Sequence, residues 1–163
     1  MTEEEKRERR CCFTGHRPEK INSSNEIIKS ALEKEIHQAI SDGFTVFISG
    51  MSRGVDIWAA EIVLRLRNQG HPIRLICALP YKNFGETWSN TICRTKYMQL
   101  IKNADLVGYL SSYYHPNCFQ IRNEWMVNHS SRVIAVFNGK SGGTKNTIEY
   151  AKKAGVPIVM INI

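Results

Sequence analysis

The stretch FISGMSRGVDIWAAE, Phe47 to Glu61, carries an apolar strand into a glycine-bracketed turn and straight out into an alanine-rich helix. That is the local plan of an anion pocket. The strand ends at Ser49, Gly50 lets the chain turn sharply, and Gly54 permits backbone angles or a close approach that a Cβ would block. The helix starts near Asp56, so its first amides lack intrahelical partners and its dipole is positive at that end, while Arg53 adds a full charge. Many α/β proteins contain such a turn and bind nothing there, so its meaning depends on what the other strands bring to it.

Reading outward, the same alternation recurs on both sides. CCFTG before it is a short buried strand ending by Thr14, and HRPEKINSS is a loop stopped by its proline and serines. Asn25 to Ile40 places apolar residues at helical spacing, with a cap among Ser23, Ser24 and Asn25 and with Gly43 beyond its end. After the opening stretch come a strand over Ile73 to Leu79, a helix from Ser89 to Lys102, the strand ADLVGYLS, a helix over Phe119 to Ser130 and a strand over Arg132 to Phe137. The loop NGKSGG, a helix over Thr144 to Ala154 and a strand over Val156 to Ile161 complete the chain. Helices between near-continuous apolar strands predict an α/β, Rossmann-like three-layer domain, its mainly parallel sheet of about six strands covered on both faces.

The chain has 163 residues, enough for one domain with a sizeable core, expected over 11–163 behind a charged N-terminal tail at 1–10. That tail, MTEEEKRERR, lacks the apolar core of a signal peptide, and no apolar run is long enough for a membrane span, so a cytoplasmic protein with no membrane partner is expected. The five cysteines, Cys11, Cys12, Cys77, Cys93 and Cys118, have no zinc-site spacing and are expected as reduced thiols with no metal. Cys11 and Cys12 should point to opposite faces of their strand. A formal net charge of +7, with Lys and Arg dispersed along the chain, favours an anionic partner. That dispersion suits phosphates on a small ligand as well as nucleic acid, and a homo-oligomer is compatible with it.

Neither G-x-G-x-x-G nor G-x-x-x-x-G-K-[ST] occurs, which argues against an ordinary dehydrogenase or kinase. Instead, small and charged residues follow separate strands and should converge on one rim, where ligands of open α/β sheets collect. They are Gly15, His16 and Arg17; the segment from Ser49 through Gly50, Arg53 and Gly54 to Asp56; Arg122 and Asn123; and Gly142, Gly143, Thr144 and Thr147. The glycine pair offers bare amides to a phosphate and the threonines offer a hydroxyl. Tyr81, Phe84 and Trp88 either frame a base or close a core, and Tyr113, Tyr114 and His115 form a lid or a partner surface.

CFTGHRP, SGMSRGVDIWAAE, RNEWMV and GGTKNTIEYA together resemble the YpsA-like branch of the SLOG superfamily, which includes DNA-processing protein A and the LOG enzymes. The resemblance runs from Cys12 to the end with its blocks in order, and implies a Rossmann-like fold with a pocket for a nucleotide or nucleotide-derived ligand. SGMSRGVDIWAAE is similar to the SG-x-ARG-[IV]-D block of DNA-processing protein A, with Ser52 in place of alanine. The LOG enzymes release a base from a nucleoside 5′-monophosphate. Their pattern is matched at Arg122, Gly142, Gly143 and Glu149, but Asn123 replaces a lysine, Lys145 and Asn146 replace a Gly-Thr pair, and no proline precedes Gly142.

The expectation is therefore a protein that binds a nucleotide or an ADP-ribose-like ligand, with no other cofactor called for. Its enzyme rival is a LOG-like phosphoribohydrolase in which Arg122 positions substrate and Glu149 stabilises an oxocarbenium-like ribose or activates water. A further rival is a single-stranded DNA-binding module, against which stands the lack of a basic stripe with interleaved aromatics.

Overall fold

A computed structural model describes the whole chain, residues 1–163. In chain order it comprises α1 (Glu3–Arg7), β1 (Arg10–Gly15), a 3₁₀ turn (Pro18–Lys20), α2 (Asn25–Ser41), β2 (Val46–Ser49), α3 (Val55–Asn68), β3 (Arg74–Leu79), α4 (Thr91–Asn103), β4 (Leu106–Tyr109), α5 (Cys118–Asn128), β5 (Arg132–Phe137), α6 (Gly143–Ala154) and β6 (Ile158–Asn162). The six strands form one sheet in the order β4-β3-β2-β1-β5-β6. Every pairing is parallel.

Strand side chains alternate across the sheet and so feed two cores. Cys11, Phe13, Phe47 and Leu75 join α2, α3 and α4 in the larger core, and Cys12, Ile48, Val133 and Ala135 join α5 and α6 in the smaller one. Adjacent Cys11 and Cys12 thus face opposite ways, as strand periodicity requires. Burial pushes the Cys12 thiol up to about 12.

The chain builds β1 to β4 outward to one edge with α2, α3 and α4 on one face. It then crosses back through α5 and adds β5 and β6 on the far side of β1, with α5 and α6 on the other face. The direction of winding reverses between β1 and β5, and such a switch point opens a crevice at the strands' carboxyl ends.

Two features depart from the sequence reading. The charged segment expected as a tail contains α1, because Thr2 and Glu5 form a reciprocal capping box at 3.2 Å and 2.9 Å. Ser131 also donates to Glu8 O at 2.8 Å, tying this segment to the domain. Secondly, the sheet is not covered throughout, since all four residues of β4 are exposed. The crossover through α5 moves the chain to the other half and leaves that edge bare. No helix is long and apolar enough to cross a membrane.

Candidate functional site

At the switch point lies a cavity of about 270 Å³, walled by the end of β1 and its loop, the start of α3, α5 and the first turn of α6. Two glycines let these elements meet. A Cβ on Gly15 would stand 2.5 Å from the Val55 side chain, so α3 can approach β1 only over a glycine. A Cβ on Gly50 would stand 2.7 Å from Cζ of Arg122, so the guanidinium occupies the space that Gly50 leaves.

Arg122 is only 3% exposed. It donates to Gly50 O, to Ala78 O at 3.4 Å, to Ser52 Oγ at 3.4 Å and, through Nε, to Asn123 Oδ1 at 2.8 Å. All these acceptors are neutral, and no carboxylate oxygen comes within 4 Å of the guanidinium. Burial lowers its pKa and the Asp56 charge opposes that. A buried cation among neutral acceptors leaves positive potential in the cavity it lines.

Asp56 is the counterpart, 7% exposed in the first turn of α3. Its Oδ2 accepts from Ser52 N at 3.2 Å. Burial pushes its carboxyl up to about 6, with Arg122, the Ser52 amide and Arg17 acting against the rise. His16 is buried too, its Nε2 accepting from Asn138 N at 3.1 Å and its ring stacked on Phe137. Burial, reinforced by Lys20, lowers its pKa and favours the neutral ring.

Of the residues anticipated from sequence, Gly15, His16, Arg17, Asp56, Arg122, Asn123, Gly143 and Thr144 line this cavity. The others sit behind it. Ser49 Oγ donates to Asp56 O at 2.9 Å and accepts from Met51 N at 3.2 Å, so it braces the turn. With Ser52 N held by Asp56, the Gly50–Gly54 turn closes on itself, and its role in the wall is to seat Arg122 and α3. Gly54, at φ +91°, packs where a Cβ would meet His16 O at 2.8 Å. Arg53 is turned away to Glu19, 2.5 Å distant.

On the facing side, Gly142 adopts φ +142° to start α6, whose N-terminus has no side-chain cap. The cavity therefore meets the open amide end of a helix through Gly143 and Thr144. Thr147 bonds within the helix, donating to Gly143 O at 2.8 Å. Glu149 is exposed, 3.9 Å from Lys145, and absent from the cavity wall. Arg122 and Glu149, the two residues the enzyme rival relies on, do not share the cavity, because Thr144, Thr147, Ile148 and Ala151 make the inward face of α6 and position 149 falls outside it. Ser52, inside the anticipated Ser49–Asp56 segment, also lines the cavity, as do Lys20 and Phe119, which were not anticipated. Lys20 lies in the same loop as His16 and Arg17, a signal that was available, whereas Phe119 looks in sequence like any core aromatic.

A second cavity, about 420 Å³, adjoins the first and shares Arg17, Ser52 and Phe119 with it. Arg53, Tyr81, Phe84, Trp88, Ser89 and Asn90 complete its wall, so Arg53, absent from the first cavity, lines the second. Of the two alternatives expected for the aromatics, core closure is seen at Phe84. Phe84 is buried and packs edge-on against Tyr81, Trp88 and Phe119, while the partly buried Tyr81 and Trp88 face the opening. Arg17 and Arg122 lie over the Phe119 ring at 5.9 Å and 5.7 Å. Tyr113 and Tyr114 are surface residues, 70% and 61% exposed.

A larger groove, about 870 Å³, runs between α2, α3 and α4. Three of its four Lys and Arg side chains pair within it, Lys29 with Glu26, Arg65 with Glu33 and Lys96 with Glu61, so its charge is more nearly balanced than that of the switch-point cavity.

Comparison with known proteins agrees with this architecture. A UPF0398 protein of Lactobacillus acidophilus is 29% identical over 167 residues, covering 94% of this chain and 88% of the relative. Among solved structures, DNA processing protein A from Streptococcus pneumoniae superposes with a TM-score of 0.67 at 18% identity, over 94% of this chain and 50% of its own. The same protein from Helicobacter pylori, studied for its single-stranded DNA binding mode, superposes with a TM-score of 0.62 at 22% identity, over 93% of this chain and 64% of its own. The chain thus spans less than two thirds of either structure, and the likeness is one of fold. The family model for YpsA, described as the YspA SLOG family, matches residues 11–163, and the chain belongs to that family.

Proposed function

We propose that the protein binds a nucleotide or nucleotide-derived ligand across the two adjoining cavities. The phosphate lies against Arg122, Arg17, Lys20 and the open amide end of α6, and the base lies in the aromatic-walled space beyond Ser52 and Phe119. The observation that carries this reading is the buried Arg122 guanidinium, which has no carboxylate within 4 Å and lines a cavity. A dianion placed there would gain charge-assisted hydrogen bonds that neutral carbonyls supply only weakly. The smaller cavity suits a phosphate and sugar, and a flat ring needs the second.

Binding without turnover is favoured over N-glycosidic hydrolysis, because Glu149 stands at the surface beside Lys145. The single-stranded DNA reading draws support from the likeness to DNA processing protein A, at the level of fold.

The test is a thermal-shift screen of nucleoside mono- and diphosphates and ADP-ribose, followed by calorimetry. A ligand present at a hundred times its Kd stabilises the native state by about 2.7 kcal/mol. If no phosphorylated nucleoside shifts the wild-type melting point, or if the shift survives in Arg122→Ala, the assignment fails.

A further inference from the structure

Asp56 is the single carboxylate in the wall of the switch-point cavity, among Arg17, Lys20, Arg122, His16 and the open end of α6. A site built only for an anion would gain nothing from it, since a carboxylate repels phosphate at close range. It is nonetheless more than nine-tenths buried and held in place by the Ser52 amide through Oδ2. The other oxygen, Oδ1, accepts no hydrogen bond from the protein, and Arg122, the cation that interacts with it most strongly, makes no contact within 4 Å. Unlike Glu61 Oε1 and Ser130 Oγ, which are sealed in without a partner, Oδ1 stays accessible in the cavity wall, where a donor on a bound molecule can reach it.

Its chemistry limits what that can be. An ionised carboxylate only accepts, so its partner must be an O–H or N–H donor. The donor must sit beside the phosphate position, because Asp56 and Arg122 line the same small cavity, and away from the base, which the proposed reading puts beyond Ser52 in the other space. In a nucleotide the group between phosphate and base is the sugar, and its donors are the ring hydroxyls.

We infer that Asp56 receives the sugar hydroxyls of the ligand, so that the site selects ribonucleotides over their deoxy counterparts. This rests on the nucleotide reading above and goes further, because it names the sugar and gives a residue for the choice. Residues of α5, α6 and α3 then divide the ligand, Arg122 and the α6 amides taking charge and Asp56 taking hydroxyls. It also separates this protein from a binder of single-stranded DNA, whose sugar has no 2′-hydroxyl to offer.

The experiment is calorimetric titration of wild type and Asp56→Asn with the four ribonucleoside 5′-monophosphates and, for the tightest of them, its 2′-deoxy and 2′,3′-dideoxy analogues. The substituted side chain keeps a carbonyl oxygen for the Ser52 amide, and a thermal melt checks that the variant is folded. Wild type should bind the ribonucleotide about tenfold or more tightly than the dideoxy analogue, the loss expected for a hydrogen bond to a charged group. The 2′-deoxy analogue should fall between them. In the variant the ratio should shrink toward one, mainly through weaker ribonucleotide binding. Equal binding of all three by wild type, or an undiminished ratio in the variant, overturns the role of Asp56 and leaves the nucleotide reading standing. Binding of none at millimolar concentration removes the nucleotide reading and this inference with it. Tighter binding of the deoxy form, or of an oligodeoxynucleotide over its RNA equivalent, overturns the inference in favour of a DNA-binding face.

Discussion

Arg122 and Asp56 lie in one cavity wall, 3% and 7% exposed, yet no ion pair joins them within 4 Å. Opposite charges this deeply buried ordinarily close on each other, because each alone carries a desolvation cost. Here each is secured separately, Arg122 by backbone carbonyls and Ser52 Oγ, Asp56 by the Ser52 amide. Ser52 therefore holds both, and both line the cavity in which the proposed ligand would lie.

Substituting Arg122 with Lys should keep the charge and lose the fork that reaches Gly50, Ala78 and Ser52 at once. Nucleotide affinity measured by calorimetry should fall about tenfold or more, by analogy with the energy of a charge-assisted bond. A lysine variant with full affinity would move the anion elsewhere.

Stability should depend on pH through Asp56. Its pKa of about 6, against an ordinary 3.8, means that the folded protein keeps a proton that the unfolded chain has released. The stabilisation from this group is thus complete below about pH 4 and is lost as pH rises through about 6. His16 acts oppositely, since its lowered pKa withdraws stability as pH falls through the histidine range. Asp56→Asn isolates the first effect and should flatten the decline between pH 4 and 6.5, by up to about 3 kcal/mol in denaturant titrations. An unchanged pH profile would show that Asp56 ionises normally.

The glycines should divide by environment. Gly54→Ala places a Cβ 2.8 Å from His16 O at φ +91°, which backbone strain makes destabilising by roughly 1–3 kcal/mol. Gly143→Ala meets nothing within 4 Å and should change the melting point little. Equal effects would contradict the tight seating of α3 beneath the β1 loop.

Glu149→Gln should leave ligand affinity unchanged in calorimetry and cost at most about 0.5 kcal/mol, the worth of an exposed i,i+4 pair. Loss of binding would return Glu149 to the site.

Much of the fold was legible because it is written in local patterns. Near-continuous apolar runs and helical spacing with glycine stops located every strand and the long helices, and the strand–helix alternation called for a parallel sheet. The short α1 escaped because a charged run reads as solvated until Thr2 and Glu5 are recognised as a cap. The bare β4 edge escaped because its apolar residues look the same in sequence whether covered or not.

By itself the sequence determined that His16, Arg17, Asp56, Arg122 and Thr144 follow separate strands and so belong to one rim, a consequence of every strand running the same way. Only the tertiary structure decided which of the rim residues face the cavity. Gly50 and Arg122 lie far apart in the chain, and their contact depends on α5 crossing back over the sheet. The inward face of α6, which keeps Thr144 and turns Glu149 out, depends on how that helix packs against the smaller core. Spacing along a chain limits which residues can converge, but side-chain direction is set by packing, and packing belongs to the whole domain.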